Sequence, residues 1–279
     1  ARPGRGRRGA RPPGVAAVNA VAILLLAGWL GAALLQAGLW LVQRRTGNAA
    51  IVDVGWSASL GLMGGLYGLL GPGDGAVGAV VAAMAGLWSL RLSWHLLRDR
   101  ILGQPEEGRY VDLRRQWGDR FQVKLFGFYQ AQALLAAVLS LPFALAVTRP
   151  RASWLDLVAV AVWLTGLVLE SVADRQLHRF KQDPRNRGQV CQDGLWRYSR
   201  HPNYFGEWLM WLAFAIPALG AGAGWLGLLA PAVMLLFILK ITGIPPTEAQ
   251  ALRSRGEAYR RYQRTTSAFV PWPPRKEAT

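Results

Sequence analysis

The sequence predicts an all-α, polytopic integral membrane protein. About seven transmembrane helices are expected, with basic cytoplasmic loops and an interfacial helix near the C-terminus. Three observations predict it. Seven apolar runs each approach the roughly 20 residues that a helix needs to cross a bilayer. The basic residues behind the net charge of +16 fall between those runs. That placement fits membrane loops and argues against a nucleic-acid partner. Third, Cys191 is the single cysteine of 279 residues, which excludes an internal disulfide framework and a multi-cysteine metal site. The three histidines, His95, His178 and His201, sit in unlike surroundings, so no structural metal is expected.

Taken in order, residues 1–13 read as a disordered basic arm. Residues 14–272 read as one membrane-embedded domain, and 273–279 as a tail. Spans are expected at 14–42, 50–70, 76–97, 125–147, 153–173, 204–220 and 223–242. The first run is too long for a signal-peptide core. Short Gly-rich links at Gly71–Gly75 and Gly220–Gly224 suit tight turns. Loops 44–49, 98–124 and 174–203 and the C-terminal tail share one side under this count, with most of the 32 Lys and Arg residues. The positive-inside rule makes that side cytoplasmic, in a membrane expected to be the bacterial inner membrane. The arm then lies outside, against the same rule. Pro245 and Pro246 end the last span, and Thr247-Glu248 opens a basic amphipathic helix on the membrane surface. Glu248 reads equally as a first-turn cap and as a binding group.

Ionisable residues inside spans are costly and usually face a partner or a cavity. Asp53 lies about one turn into the second span, with Trp56 at i+3. One reading is an interfacial acid stabilised by the helix dipole. The other is a carboxylate facing a cavity. In the third span, Trp88, Arg91 and His95 recur along one helical face. Arg91 reads as a ligand contact, a partner of Asp53, or a side chain snorkelling to the interface. The 98–124 loop brings Arg100, Arg109 and Tyr110 to the membrane surface. Several guanidiniums beside an aromatic plane suit a nucleotide with phosphates, or lipid head groups. At the end of the fifth span Glu170, Asp174 and His178 recur every four residues, with Arg179 following. One histidine and no second ligand cluster argue against a metal there. No Gly-x-Gly-x-x-Gly follows a strand, so any dinucleotide must bind in the helical bundle itself.

The densest polar stretch is Trp-Arg-Tyr-Ser-Arg-His-Pro-Asn-Tyr-Phe-Gly-Glu over residues 196–207, at the mouth of a span. Arg197 and Arg200, at i and i+3, suit an oxyanion. This stretch resembles the signature of the steroid 5α-reductase superfamily, in its bacterial branch. Glu107-Gly-Arg-Tyr110, followed by Leu-Arg-x-x-Trp-Gly, resembles the same branch. A shorter core, Arg-His-Pro-x-Tyr, also resembles isoprenylcysteine carboxyl methyltransferases, whose reaction would use S-adenosylmethionine on a lipophilic acceptor. Asn203 and the Phe-Gly-Glu207 extension favour the reductase side. That resemblance implies NADPH-dependent reduction of a carbon–carbon double bond conjugated to a carbonyl, in a lipophilic substrate such as a 3-oxo-Δ4-steroid. A monomer among membrane lipids is expected. Animal members carry a catalytic Glu in the second span, to which Asp53 is the nearest match, and a partner Tyr near Trp88. Because Trp cannot replace a phenol, His95 and Tyr110 are alternative proton donors. For the cofactor the resemblance points to Asp174, Arg179, Arg197, Tyr198, His201, Asn203, Tyr204 and Glu207. Arg100, Arg109 and Glu248 join them as candidates.

Overall fold

A computed structural model of the chain describes residues 13–275. The basic arm lies outside the described residues except for Pro13, which begins the first helix, and residues 276–279 of the tail also lie outside. The described chain divides into two compact units. One runs to Ala152 and takes in Ala221–Ala223; the other holds Ser153–Gly220 and Gly224 onward.

In the first unit the apolar runs fold as α1 (Pro13–Thr46), α2 (Ile51–Leu70), α3 (Gly75–Arg100), α5 (Phe121–Leu139) and α6 (Leu141–Ala146). The run expected at 125–147 is divided at Ser140, where Pro142 enters the first turn of α6. α2 and α3 run close because small residues meet: Gly64 lies against Ala85 and Gly61 against Ser89. The Gly71–Asp74 link turns tightly, with Gly73 N–H donating to Val147 O at 2.9 Å. Asp74 then caps α3 by accepting from Ala76 N at 2.8 Å. A helix also forms where only a loop was expected, α4 (Gly108–Trp117).

The second unit is built on α7 (Trp154–Gln182) and α8 (Pro202–Ala218). α7 starts from a capping box between Ser153 and Asp156. Its crossing with α8 is tight: a Cβ on Gly206 would lie 2.7 Å from Gly166 O and from Glu170 N. α9 (Leu229–Leu236) continues into a π-helical turn over Phe237–Ile241. Pro245 and Pro246 do not precede the surface helix as expected. They occupy the first turn of α10 (Ile244–Arg255), where a missing N–H breaks no helical bond. The surface helix is also not continuous: Gly256, at φ 51°, separates α10 from α11 (Glu257–Thr265). A positive φ there is available to Gly at little steric cost.

Among the described residues, five stretches are long and apolar enough to cross a membrane: Ala16–Thr46, Gly75–Arg100, Gly108–Ala146, Trp154–Gln182 and Gly224–Arg255. The protein is an all-α polytopic membrane protein. α2, with 20 residues, and α8, with 17, are the further apolar helices behind the expected seven, but five is the number that length and hydropathy support together.

Candidate functional site

In the first unit Asp53 sits in the first turn of α2, where the helix dipole favours an acid. Its partners come from the end of α3 and the start of α4. Arg100 Nη1 donates to Asp53 Oδ2 at 3.0 Å and Arg109 Nη2 to the same oxygen at 2.5 Å. The fully buried Tyr110 donates its phenol to Oδ1 at 2.9 Å. Arg109 lies over the Tyr110 ring, 4.6 Å from its centroid. Glu107 adds a second carboxylate, 2.9 Å from Arg100. Next to this, Glu106 holds Arg114 at 2.9 Å and accepts from Ala49 N at 2.8 Å. The cluster therefore fastens the 100–114 segment to the N-terminus of α2. Charge-assisted hydrogen bonds of this kind are the strong ones.

The second unit's site grows from the 194–207 stretch. Trp196 anchors it, donating from Nε1 to Ala173 O at 2.9 Å. Ser199 pairs with Ser267 in an isolated parallel bridge, so the chain after α11 lies along this stretch. Glu248 on α10 is the hub. It accepts from Arg200 Nε at 2.7 Å and Gln263 Nε2 at 2.7 Å, and His201 Nε2 stands 3.3 Å away. Arg200 also donates to the carbonyls of Gln263 and Thr266, at 3.0 and 2.5 Å. The His201 and Tyr204 rings stack with centroids 5.2 Å apart, and Tyr204 Oη meets Thr247 Oγ1 at 3.2 Å. Burial, and then the negative charge of Glu248, holds the Tyr259 phenol above its usual pKa. It stays protonated and donates to Glu248 at 3.4 Å. Burial likewise raises Tyr262, which donates to the carbonyls of Trp196 and Ser199.

These groups border a cavity of about 500 Å³, within the range of small-molecule sites. His201, Asn203 and Tyr204 line one wall, and α10 supplies Thr247, Gln250 and Ser254 on another. Lys181 and Arg255 bring positive charge to it. Asn203 Nδ2 donates to Asp174 Oδ1 at 3.1 Å, which connects Asp174 to this wall.

The expected residues are distributed as follows. Asp53, Arg100, Arg109 and Tyr110 come together in the first unit. There Trp88 is buried edge-on against Trp56, with centroids 5.8 Å apart. His95 lies on the same helix as Trp88, in surroundings of its own. His95 is 54% exposed and pairs with Asp99 at 3.3 Å, because it lies two turns further along α3, near its end. His201, Asn203, Tyr204, Glu248 and Asp174 come together in the second unit. Arg179, Arg197 and Tyr198 are exposed and do not line the cavity. Glu207 accepts from Trp211 Nε1 at 2.9 Å, one turn along α8. Arg197 and Arg200 lie in different surroundings: Arg197 is exposed, while Glu248 and two carbonyls hold Arg200. Lys181, Gln250, Ser254 and Arg255 were not singled out from the sequence. The signal available was the spacing Thr247, Gln250 or Ala251, and Ser254, which is one helical face. Among the described residues no group of three or more His, Cys, Asp or Glu could hold a metal ion.

Fold and sites together define a helical membrane protein with a cavity of mixed polar and aromatic lining, beside a polar stretch at the head of a helix. The chain belongs to the family described as "Protein of unknown function (DUF1295)", whose model matches residues 39–266, a family of the steroid 5-alpha-reductase-like group. An uncharacterized protein of Schizosaccharomyces pombe, C594.04c, is 29% identical over 161 residues, covering 48% of this chain and 46% of that protein. The steroid 5-alpha-reductase DET2 of Arabidopsis thaliana is 32% identical over 63 residues, covering 23% of this chain and 24% of that protein. The match therefore spans about half the length of the first relative and about a quarter of the second. No solved structure matches the chain.

Proposed function

We propose that the protein is an NADPH-dependent reductase of a carbon–carbon double bond conjugated to a carbonyl in a lipophilic substrate. The observation that carries the reading is the second unit's cavity. It is bordered by the Arg-His-Pro-Asn-Tyr stretch and braced by Glu248 through Arg200 and His201. Its donor set fits a phosphorylated dinucleotide. Lys181 and Arg255 suit phosphate oxygens, the His201–Tyr204 stack offers an aromatic face, and Gln250, Ser254 and Asn203 offer hydrogen bonds. The family and the partial match to DET2 point the same way.

NADPH, when bound, supplies the hydride. The chain's own residues do the rest in this reading. Glu248 fixes Arg200 and His201 so that the cavity wall is formed before the ligand arrives, which lowers the ordering cost of binding. In the first unit Asp53 fixes Tyr110 and two guanidiniums. These polar groups hold the substrate carbonyl and stabilise the charge that develops on its oxygen, and the Tyr110–Asp53 pair supplies the proton.

The test is thermal melting of the purified protein with NADPH and with S-adenosylmethionine. NADPH is expected to raise the melting temperature by mass action, and S-adenosylmethionine is not. Stabilisation by S-adenosylmethionine alone would replace the reading with methyl transfer.

A further inference from the structure

We propose that a second cavity of this protein binds a phosphate group, carried on a lipid head group or as the free anion. The cavity lies in the second unit, encloses about 320 Å³, and is lined by Arg200 and residues of the segment 263–275. Three of its lining side chains are arginines, Arg200, Arg264 and Arg275, and none of its lining residues is acidic. Thr265, Thr266 and Ser267 add three consecutive hydroxyls, groups that bond phosphate oxygens without adding charge. Guanidinium forks match phosphate geometry in two-point contacts.

The charges already in use do not cancel this character. Arg200 is held by Glu248 at 2.7 Å, and Glu248 also accepts from Gln263 of the lining at 2.7 Å, so the cavity's net positive charge comes from Arg264 and Arg275. Arg264 has Glu257 at 3.1 Å, with both side chains more than half exposed, so that pair is weak and solvent-screened. Arg275 is exposed, and its N–H donates to Thr265 O at 2.8 Å, which closes the segment into a ring around the cavity. Trp272 also lines the cavity and is 68% exposed, and Val270 nearby is 51% exposed. An exposed Trp beside arginines is the pattern of a membrane–water interface, and it favours a phosphate presented by a lipid.

The experiment uses the full-length protein in uncharged micelles. Its melting temperature is followed on addition of short-chain phosphatidic acid, of the matching diacylglycerol, and of inorganic phosphate against chloride at equal ionic strength. Phosphatidic acid is expected to stabilise where diacylglycerol does not. The Arg264→Ala/Arg275→Ala double variant should bind it at least about tenfold more weakly, the loss expected for a charge-assisted contact. Arg253→Ala/Arg261→Ala, which removes the same charge elsewhere on α10 and α11, should bind as wild type. If the double variant fails to fold, Arg275→Gln alone takes its place. Equal stabilisation by inorganic phosphate assigns the site to the free anion, and stabilisation by the lipid alone assigns it to a head group. The proposal is overturned if neither phosphate stabilises, if the double variant keeps the effect, or if the control pair loses it equally.

Discussion

Asp53 and Tyr110 separate two roles that one acidic residue could combine. Both oxygens of Asp53 already accept hydrogen bonds, from Arg100, Arg109 and Tyr110, so removing its charge releases a whole segment. Asp53→Asn should therefore cost stability, roughly 1.5–3 kcal/mol for hydrogen bonds to a charged group, with partial exposure of both arginines placing it towards the lower end. Tyr110→Phe leaves the carboxylate with both arginines and deletes only a buried hydroxyl. It should bind NADPH as wild type while turnover falls by about 10²–10⁴-fold, the usual cost of losing a general acid. Near-wild-type turnover in Tyr110→Phe would show that the phenol only holds Asp53 in place. At the other site, Arg255 lines the cavity and Arg197 is exposed outside it. If Arg255 contacts the 2′-phosphate, Arg255→Ala should weaken NADPH by about 10- to 150-fold and NADH little. Arg197→Ala should change neither. Parallel titrations of the two nucleotides decide it, and equal losses for both would remove Arg255 from that contact.

At the scale of elements, the apolar helices were legible because a run of apolar residues of membrane length is a signal along the chain itself. α1, α2, α3 and α7 appear close to their expected places for that reason, with α3 and α7 extending further into the basic loops. α4 was not legible. Its ten residues, Gly108–Trp117, are mostly charged or polar, and too short to form a stable helix alone. They are held by a contact 56 residues away in sequence, Arg109 to Asp53. The break at Gly256 was hidden for a similar reason, since a single Gly inside a basic helical pattern is tolerated. The role of Glu248 was half legible. Its position at the head of a surface helix suggested a cap, yet no side-chain cap bond forms there. Its partners Arg200 and His201 lie 47 or more residues away. Glu248→Ala would leave Arg200, only 10% exposed in its side chain, without its charge partner. Breaking a buried pair from one side costs about 3–5 kcal/mol. A lower melting temperature together with lost NADPH stabilisation is expected. An unchanged melting curve would mean that the two carbonyls suffice to hold Arg200.

At the scale of the molecule, the two units carry different chemistry within one membrane protein. The first concentrates carboxylate, phenol and guanidinium at the N-terminus of α2. The second builds a cavity from the head of α8 and the face of α10. The 196–207 stretch showed in advance where the second would form, because its polar residues stand at the mouth of an apolar run. It could not show which of them point inward, because tertiary partners decide that: Glu248 draws in Arg200, while Arg197, three residues earlier, stays exposed. The central claim is that this chain directs hydride from NADPH to a conjugated double bond, and isotope transfer tests it most directly. The purified protein is incubated with a 3-oxo-Δ4-steroid and NADPH deuterated at the transferring position of its nicotinamide. Deuterium is expected on the β-carbon of a saturated ketone, with the other hydrogen supplied by the solvent. An unlabelled, unreduced steroid recovered from a protein that is stabilised by S-adenosylmethionine would contradict it.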